Sequence, residues 1–124
     1  MNLSNEDHAW IEYNIGRALA YKGEWEEARK YYDRAYDRMV KPEPPRTKDS
    51  FLVLHNISVI LYQQRKYDNA LEYYLTVLKI KKGFYRSGHI DIAKSLHNIG
   101  NVLQEQGDYS KALAPGHQIR YRIL

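Results

Sequence analysis

No cysteine occurs in the 124 residues. That excludes a disulfide framework, a thiol nucleophile and a thiolate metal site, and it fits a reducing, cytoplasmic setting. Long apolar runs are missing as well. Stretches such as Phe51-Leu52-Val53-Leu54 fall far short of the roughly 20 residues that a membrane helix needs. The opening segment, Met1 to Asp7, is polar and acidic, without the basic start and apolar stretch of a secretory signal. A strong excess of one charge is also absent. Nineteen Lys and Arg stand against 15 Asp and Glu, a formal balance of +4. That is too small to mark a nucleic-acid partner. At 44% hydrophobic and 27% charged, the chain can build one soluble domain.

What is present is tyrosine, 12 residues of it, and a repeat. Tyr13-Asn14-Ile15-Gly16 recurs 42 residues on as His55-Asn56-Ile57-Ser58 and again as His97-Asn98-Ile99-Gly100. Leu19, Leu61 and Leu103 follow in the same register. Then come Trp25, Tyr67 and Tyr109, each three residues before Ala28, Ala70 or Ala112. A register kept across three copies marks an array of supersecondary units, each too small to bury its own apolar face.

Within a copy the pattern is helical. Ile11, Ile15 and Leu19, like Leu54, Ile57 and Leu61, are spaced by three and four and stripe one face. Between two helices of a copy lie Lys22-Gly23-Glu24, Gln64-Arg65-Lys66 and Gln106-Gly107-Asp108. Glycine there supplies a left-handed C-cap; the middle copy has Arg65 instead. The pattern predicts helices near 5–22, 25–40, 50–64, 67–82, 91–106 and 109–114, with repeats at about 9–50, 51–92 and 93–114. The alanine early in each second helix lets two backbones approach closely.

Gly16, Trp25, Ala28, Tyr32 and Ala35, and their counterparts in the later copies, resemble a tetratricopeptide repeat. The family's basic unit is about 34 residues; the longer 42-residue spacing is similar to that of kinesin light chains. The closest match runs from Gly88 to Gly100. The resemblance implies an all-α fold, an α-solenoid of antiparallel helix pairs. It also implies a role in binding other proteins. Two departures stand out. Glu12 occupies the apolar slot filled by Leu54 and Leu96. Pro115-Gly116 falls where Tyr73-Tyr74 sit in the second copy, so the last helix should stop near Ala114 and residues 115–124 form an atypical tail.

In arrays of this family, the resemblance implies, first helices line a concave groove that takes an extended partner segment. Asn14, Asn56 and Asn98 recur just before the buried isoleucine position, and an amide offers both donors and acceptors to a peptide backbone. The rival reading is that these amides bond within the array. Tyr13, His55 and His97 stand one residue earlier; Arg17, Val59 and Asn101 stand three later. Tyr21, Tyr62, Lys94 and Glu105 complete the expected groove. Asn56 and Lys94 match parts of a carboxylate clamp found in some relatives, but Tyr13 and Asn98 replace its lysine and arginine.

His55 and His97 invite a metal reading. Zinc needs three or four ligands, and no third stands beside them in the helical spacing, so no metal or other cofactor is expected. No phosphate-binding glycine loop, Gly-x-Ser-x-Gly or His-Glu-x-x-His occurs, so no enzyme is expected either. Glu26-Glu27 beside Arg29 and Lys30 reads as a solvated face. Two alternatives to an adaptor stay open: an array that self-associates through an open C-terminal end near Leu103, Ala112 and Leu113, and a regulatory part of a larger enzyme.

Overall fold

A computed structural model describes residues 2–42 and 47–113, the last five by their backbone only. The described residues form five helices and no strand: α1 (Asn5–Tyr21), α2 (Trp25–Val40), α3 (Thr47–Gln63), α4 (Tyr67–Phe84) and α5 (Ile90–Leu113). The chain divides into two compact units, residues 1–60 and 61–124. The all-α helical-repeat expectation holds.

In the first unit α1 starts at a capping box. The Ser4 hydroxyl accepts from the Asp7 amide at 3.0 Å, and the Asp7 carboxylate accepts from the Ser4 amide at 3.1 Å. Two of the donors that a helix start leaves open are thereby satisfied. The same two bonds, backbone first, hold the Asp7 carboxyl below the usual carboxylate range. The helix ends in a Schellman turn. Gly23 takes φ +79°, its amide bonds to the Ala20 carbonyl at 3.0 Å, and the Glu24 amide bonds to Leu19 at 3.0 Å. The chain then reverses into α2. Asn5, at the start of α1, bonds to the carbonyl and guanidinium of Arg38, near the end of α2, so the pair is antiparallel.

The interface of that pair rests on small residues. Ala9, Ala28 and Ala35 are fully buried, and Gly16 lies against Ala28 and the Tyr32 ring. Glu12, the misfit of the apolar pattern, forms an ion pair with Arg38, which explains how an acid is tolerated where its counterparts are leucine.

The second unit repeats the turn with different chemistry. Arg65 takes φ +62°; its amide bonds to Tyr62 at 3.0 Å and the Lys66 amide to Leu61 at 2.8 Å. An arginine therefore occupies the left-handed position that Gly23 fills in the first copy. α4 and α5 are antiparallel too: Asp68 accepts from Gln106, and the Lys81 ammonium donates to the Asp91 carbonyl at 3.3 Å. Their core is Tyr74, Leu78, Ile92, Ile99 and Val102, flanked by Leu71, Leu75 and Leu103. α5 begins on His89, whose Nδ1 accepts from the Asp91 amide at 3.0 Å and whose ring stacks on Tyr85 at 4.1 Å.

Two expectations are corrected. The third copy does not turn at Gln106-Gly107-Asp108; α5 runs unbroken to Leu113, so helices at 91–106 and 109–114 are one. A fold-back would gain a single helical turn before Pro115, with Gly116 in place of the core Tyr32 or Tyr74. Staying straight keeps the i to i−4 bonds, against about 1 kcal/mol for a helical glycine. The second correction concerns α1. Ile11 and Ile15 are exposed, and the buried face is Ala9, Tyr13 and Gly16. The Leu54, Ile57 and Leu61 stripe of α3 is buried as expected. The predicted tail, 115–124, lies outside the described residues.

Candidate protein-binding surface

In the first unit the asparagine positions are tied to the helices that carry them. Asn14 donates from Nδ2 to the Trp10 carbonyl at 2.8 Å, and Asn56 donates likewise to Leu52 at 2.7 Å. Each bond spans one helical turn. Asn56 also donates to the Tyr13 hydroxyl oxygen at 3.1 Å. Both N–H groups of Asn56 are thus engaged, while its Oδ1 has no partner among the described residues. A ligand at Asn56 must bring a donor, such as a peptide N–H. Asn14 keeps one N–H as well as its oxygen.

Tyr13, expected to line the groove, does not lie at the surface. It is buried, edge-on to Trp10 with centroids 5.6 Å apart and tilted against Tyr32 at 5.8 Å. Burial pushes its hydroxyl pKa up, against the opposing pull of Arg17 and the Asn56 bond. Its hydroxyl accepts from Asn56, and the Arg17 guanidinium carbon lies 5.9 Å from the ring centroid. Asn14, Arg17 and Tyr21 are exposed, and His55 and Val59 half-buried. Trp10, which the repeat register did not single out, belongs to this group because it packs on Tyr13 and supplies the acceptor for Asn14.

In the second unit Lys94, His97, Asn98, Asn101 and Glu105 recur along α5 at three- and four-residue steps, so they share one side of it. Four are exposed and Asn98 is half-buried. The Asn101 amide lies 3.2 Å from His97 Nε2 and donates to it when the imidazole proton is on Nδ1. Asn98 makes no side-chain hydrogen bond among the described residues, which leaves all its donor and acceptor positions for a ligand. Tyr62 stands edge-on to Tyr67 at 5.7 Å. Its pKa is raised by burial and then by the facing Glu105 carboxylate, to which it bonds. Lys94 lies close enough to Lys81 to help burial lower that lysine's pKa, against the pull of Asp91.

Each unit, taken by itself, offers amides and an imidazole, with Arg17 in the first and Lys94 and Glu105 in the second. Among the described residues no three His, Asp or Glu side chains gather into a metal site, and no helix is long and apolar enough to cross a membrane.

Two family models, both for the tetratricopeptide repeat, match this chain over residues 13–83 and 49–118. Each spans more than half of it. The chain belongs to the tetratricopeptide-repeat family. No curated protein matches it. Tetratricopeptide repeats are generally protein-interaction modules.

Proposed function

We propose that this tetratricopeptide-repeat chain is an adaptor or scaffold that binds an extended segment of a partner protein, with Asn14 and Asn56 of the first unit bonding to the partner's backbone and Asn98 of the second unit offering a contact of the same kind. The observation that carries this reading is Asn56. Its two donors are fixed by Leu52 and Tyr13, which presents Oδ1 in one orientation at little further entropic cost. Asn98, with its bonding positions open, supplies a second contact of the same type. Arg17, Lys94 and Glu105 set the charge preference for a partner of mixed sign. The 42-residue period favours the longer variety of the repeat that kinesin light chains carry.

Affinity capture of partners from the native host, followed by peptide mapping, tests the reading. Asn56→Ala and Asn98→Ala should each weaken binding of the mapped segment about tenfold, the effect of one buried hydrogen bond left unmade. Unchanged binding in both variants would remove the ladder's role.

Self-association is a second reading with an observation of its own. On α5 the large apolar Leu96 is exposed, and Gly100 beside it has open space around it. Leu96 is the point at which a second copy would seat in this reading. Leu103, by contrast, packs against the α4–α5 core, and the side chains of Ala112 and Leu113 lie outside those described. Light scattering at high concentration decides: a strict monomer ends this reading.

A further inference from the structure

The three first helices carry the same register but differ in which side is covered. Ile11 and Ile15 on α1 are 44% and 38% exposed, and Ala18 is exposed with them. Forty-two residues on, Val53, Ile57 and Ile60 are 0%, 1% and 3% exposed; in the third copy Ser95, Ile99 and Val102 are 2%, 7% and 1%. The positions match one for one, at steps of four and three, so all lie on the same side of their helix. In the third copy the covering element is known. Ile92, Ile99 and Val102 pack with Tyr74 and Leu78 of α4, with Leu71 and Leu75 at the edge. α4 is the second helix of the preceding copy. On α1 the same side is exposed.

A second observation concerns charge. The Lys81 ammonium near the end of α4 donates to the carbonyl of Asp91 in the first turn of α5. The residue of α1 in register with Asp91 is Asp7, again in the first turn, beside Glu6. The start of α1 is therefore negative and lies at a helix N-terminus. The last turn of a helix docked antiparallel, as α4 is on α5, would fall there. A basic last turn satisfies both that helix's own dipole and the acids it meets.

We propose that the Ile11–Ile15–Ala18 side of α1 is a docking surface for an amphipathic helix of a partner protein. That helix presents leucine or aromatic side chains at i, i+3, i+4 and i+7, as Leu71, Tyr74, Leu75 and Leu78 do, and a lysine or arginine ten residues after the first of them, as at Lys81. It lies antiparallel to α1. A second copy of this chain is a poor source. The apolar sides of α2 and α4, the helices of that type, are already covered: Ala28, Tyr32, Ala35 and Met39 on one, Ala70, Tyr74, Val77 and Leu78 on the other are buried. This surface is distinct from the asparagine positions and does not depend on them.

The chain's own α4 supplies the probe: a capped, fluorescently labelled peptide of sequence 67–84, titrated with the whole protein and read by anisotropy. Saturable binding is expected. Ile11→Asp/Ile15→Asp in the protein should weaken it at least tenfold, as should Lys81→Glu in the peptide, while Asn56→Ala leaves it unchanged. The two isoleucines are exposed, so the double variant should keep its helical circular dichroism; Ile11→Gln/Ile15→Gln serves as a milder second version. No binding to the unaltered protein overturns the proposal. Equal binding to the double variants also overturns it, because the peptide is then exchanging with α4 on α5. So does a concentration-dependent dimer that disappears with Ile15→Asp, since the occupant is then a second copy. A failure of the Asn56 and Asn98 variants to affect partner capture would leave this result untouched.

Discussion

Gly16 lies so close to Tyr32 that a Cβ on it would stand 2.7 Å from two carbons of the ring and 3.3 Å from the Ala28 carbonyl oxygen. The ring is buried at 1% exposure and has no room to swing aside. Gly16→Ala should therefore cost about 1–3 kcal/mol through overpacking, despite the helix propensity that alanine brings. Gly100 holds the same place in the third copy but meets nothing within 4 Å. Gly100→Ala should instead stabilise by about 0.5–1 kcal/mol. Urea titration of the two variants checks the opposite signs; equal shifts would refute the difference in environment.

Arg65 carries a conformational cost that Gly23 does not. A non-glycine residue in the left-handed region is disfavoured by about 1–2 kcal/mol, and a glycine gives part of that back through a freer unfolded chain. Arg65→Gly should raise the urea midpoint by an amount worth about 0.5–1 kcal/mol. Gly23→Arg should lower it by at least as much.

Alkaline pH should unfold the protein through two buried tyrosines. Burial raises Tyr32 and Tyr74 to about 12 from 10.0, with neighbouring tyrosines, Tyr13 and Tyr62 respectively, adding to the rise. Below pH 10 both phenols are protonated in folded and unfolded chains alike, and their contribution is fully present. Between about 10 and 12 the unfolded chain releases protons that the folded one keeps, so stability falls by about 1.4 kcal/mol per pH unit for each residue. A pH series of denaturant midpoints, read with phenolate absorbance, should show a flat region and then this decline. Tyr74→Phe should make the decline shallower, the remainder coming from Tyr32 and from the smaller rises at Tyr13 and Tyr62.

The Glu12–Arg38 pair should behave as a half-buried ion pair. Arg38→Ala strands the Glu12 carboxylate, 14% exposed, and should cost about 1–3 kcal/mol. Replacing both residues by apolar ones, Glu12→Leu with Arg38→Met, should come close to neutral. A thermal-melt double-mutant comparison distinguishes the two; a harmless Arg38→Ala would show that the pair contributes nothing.

These cases show where the sequence was transparent. The helices and the turn at Gly23 follow from local chemistry: spacing by three and four, a cap residue, a glycine. Glu12 could be seen as a misfit, but its partner lies 26 residues away, and nothing in the local pattern points to Arg38. Ile11 and Ile15 misled because periodicity reports that a face is apolar, not whether anything covers it. Tyr13 was read as groove-lining from its place one residue before Asn14, whereas Trp10 and Tyr32 pack on it. Gly107 misled in the opposite way. Its signal for a turn is as good as that of Gly23, but a turn forms only when the helix after it has enough apolar surface to return to the core.

The unbroken α5 has a consequence for anyone wishing to lengthen this array by grafting on a fourth repeat. Joining new sequence after Leu113 would extend a rod, not add a layer, since the element on which the next first helix should rest has been spent as a continuation of the previous one. Extension would require the reversal at Gly107 to be rebuilt first, with an aromatic in place of Gly116 and a donor-bearing residue in place of Pro115.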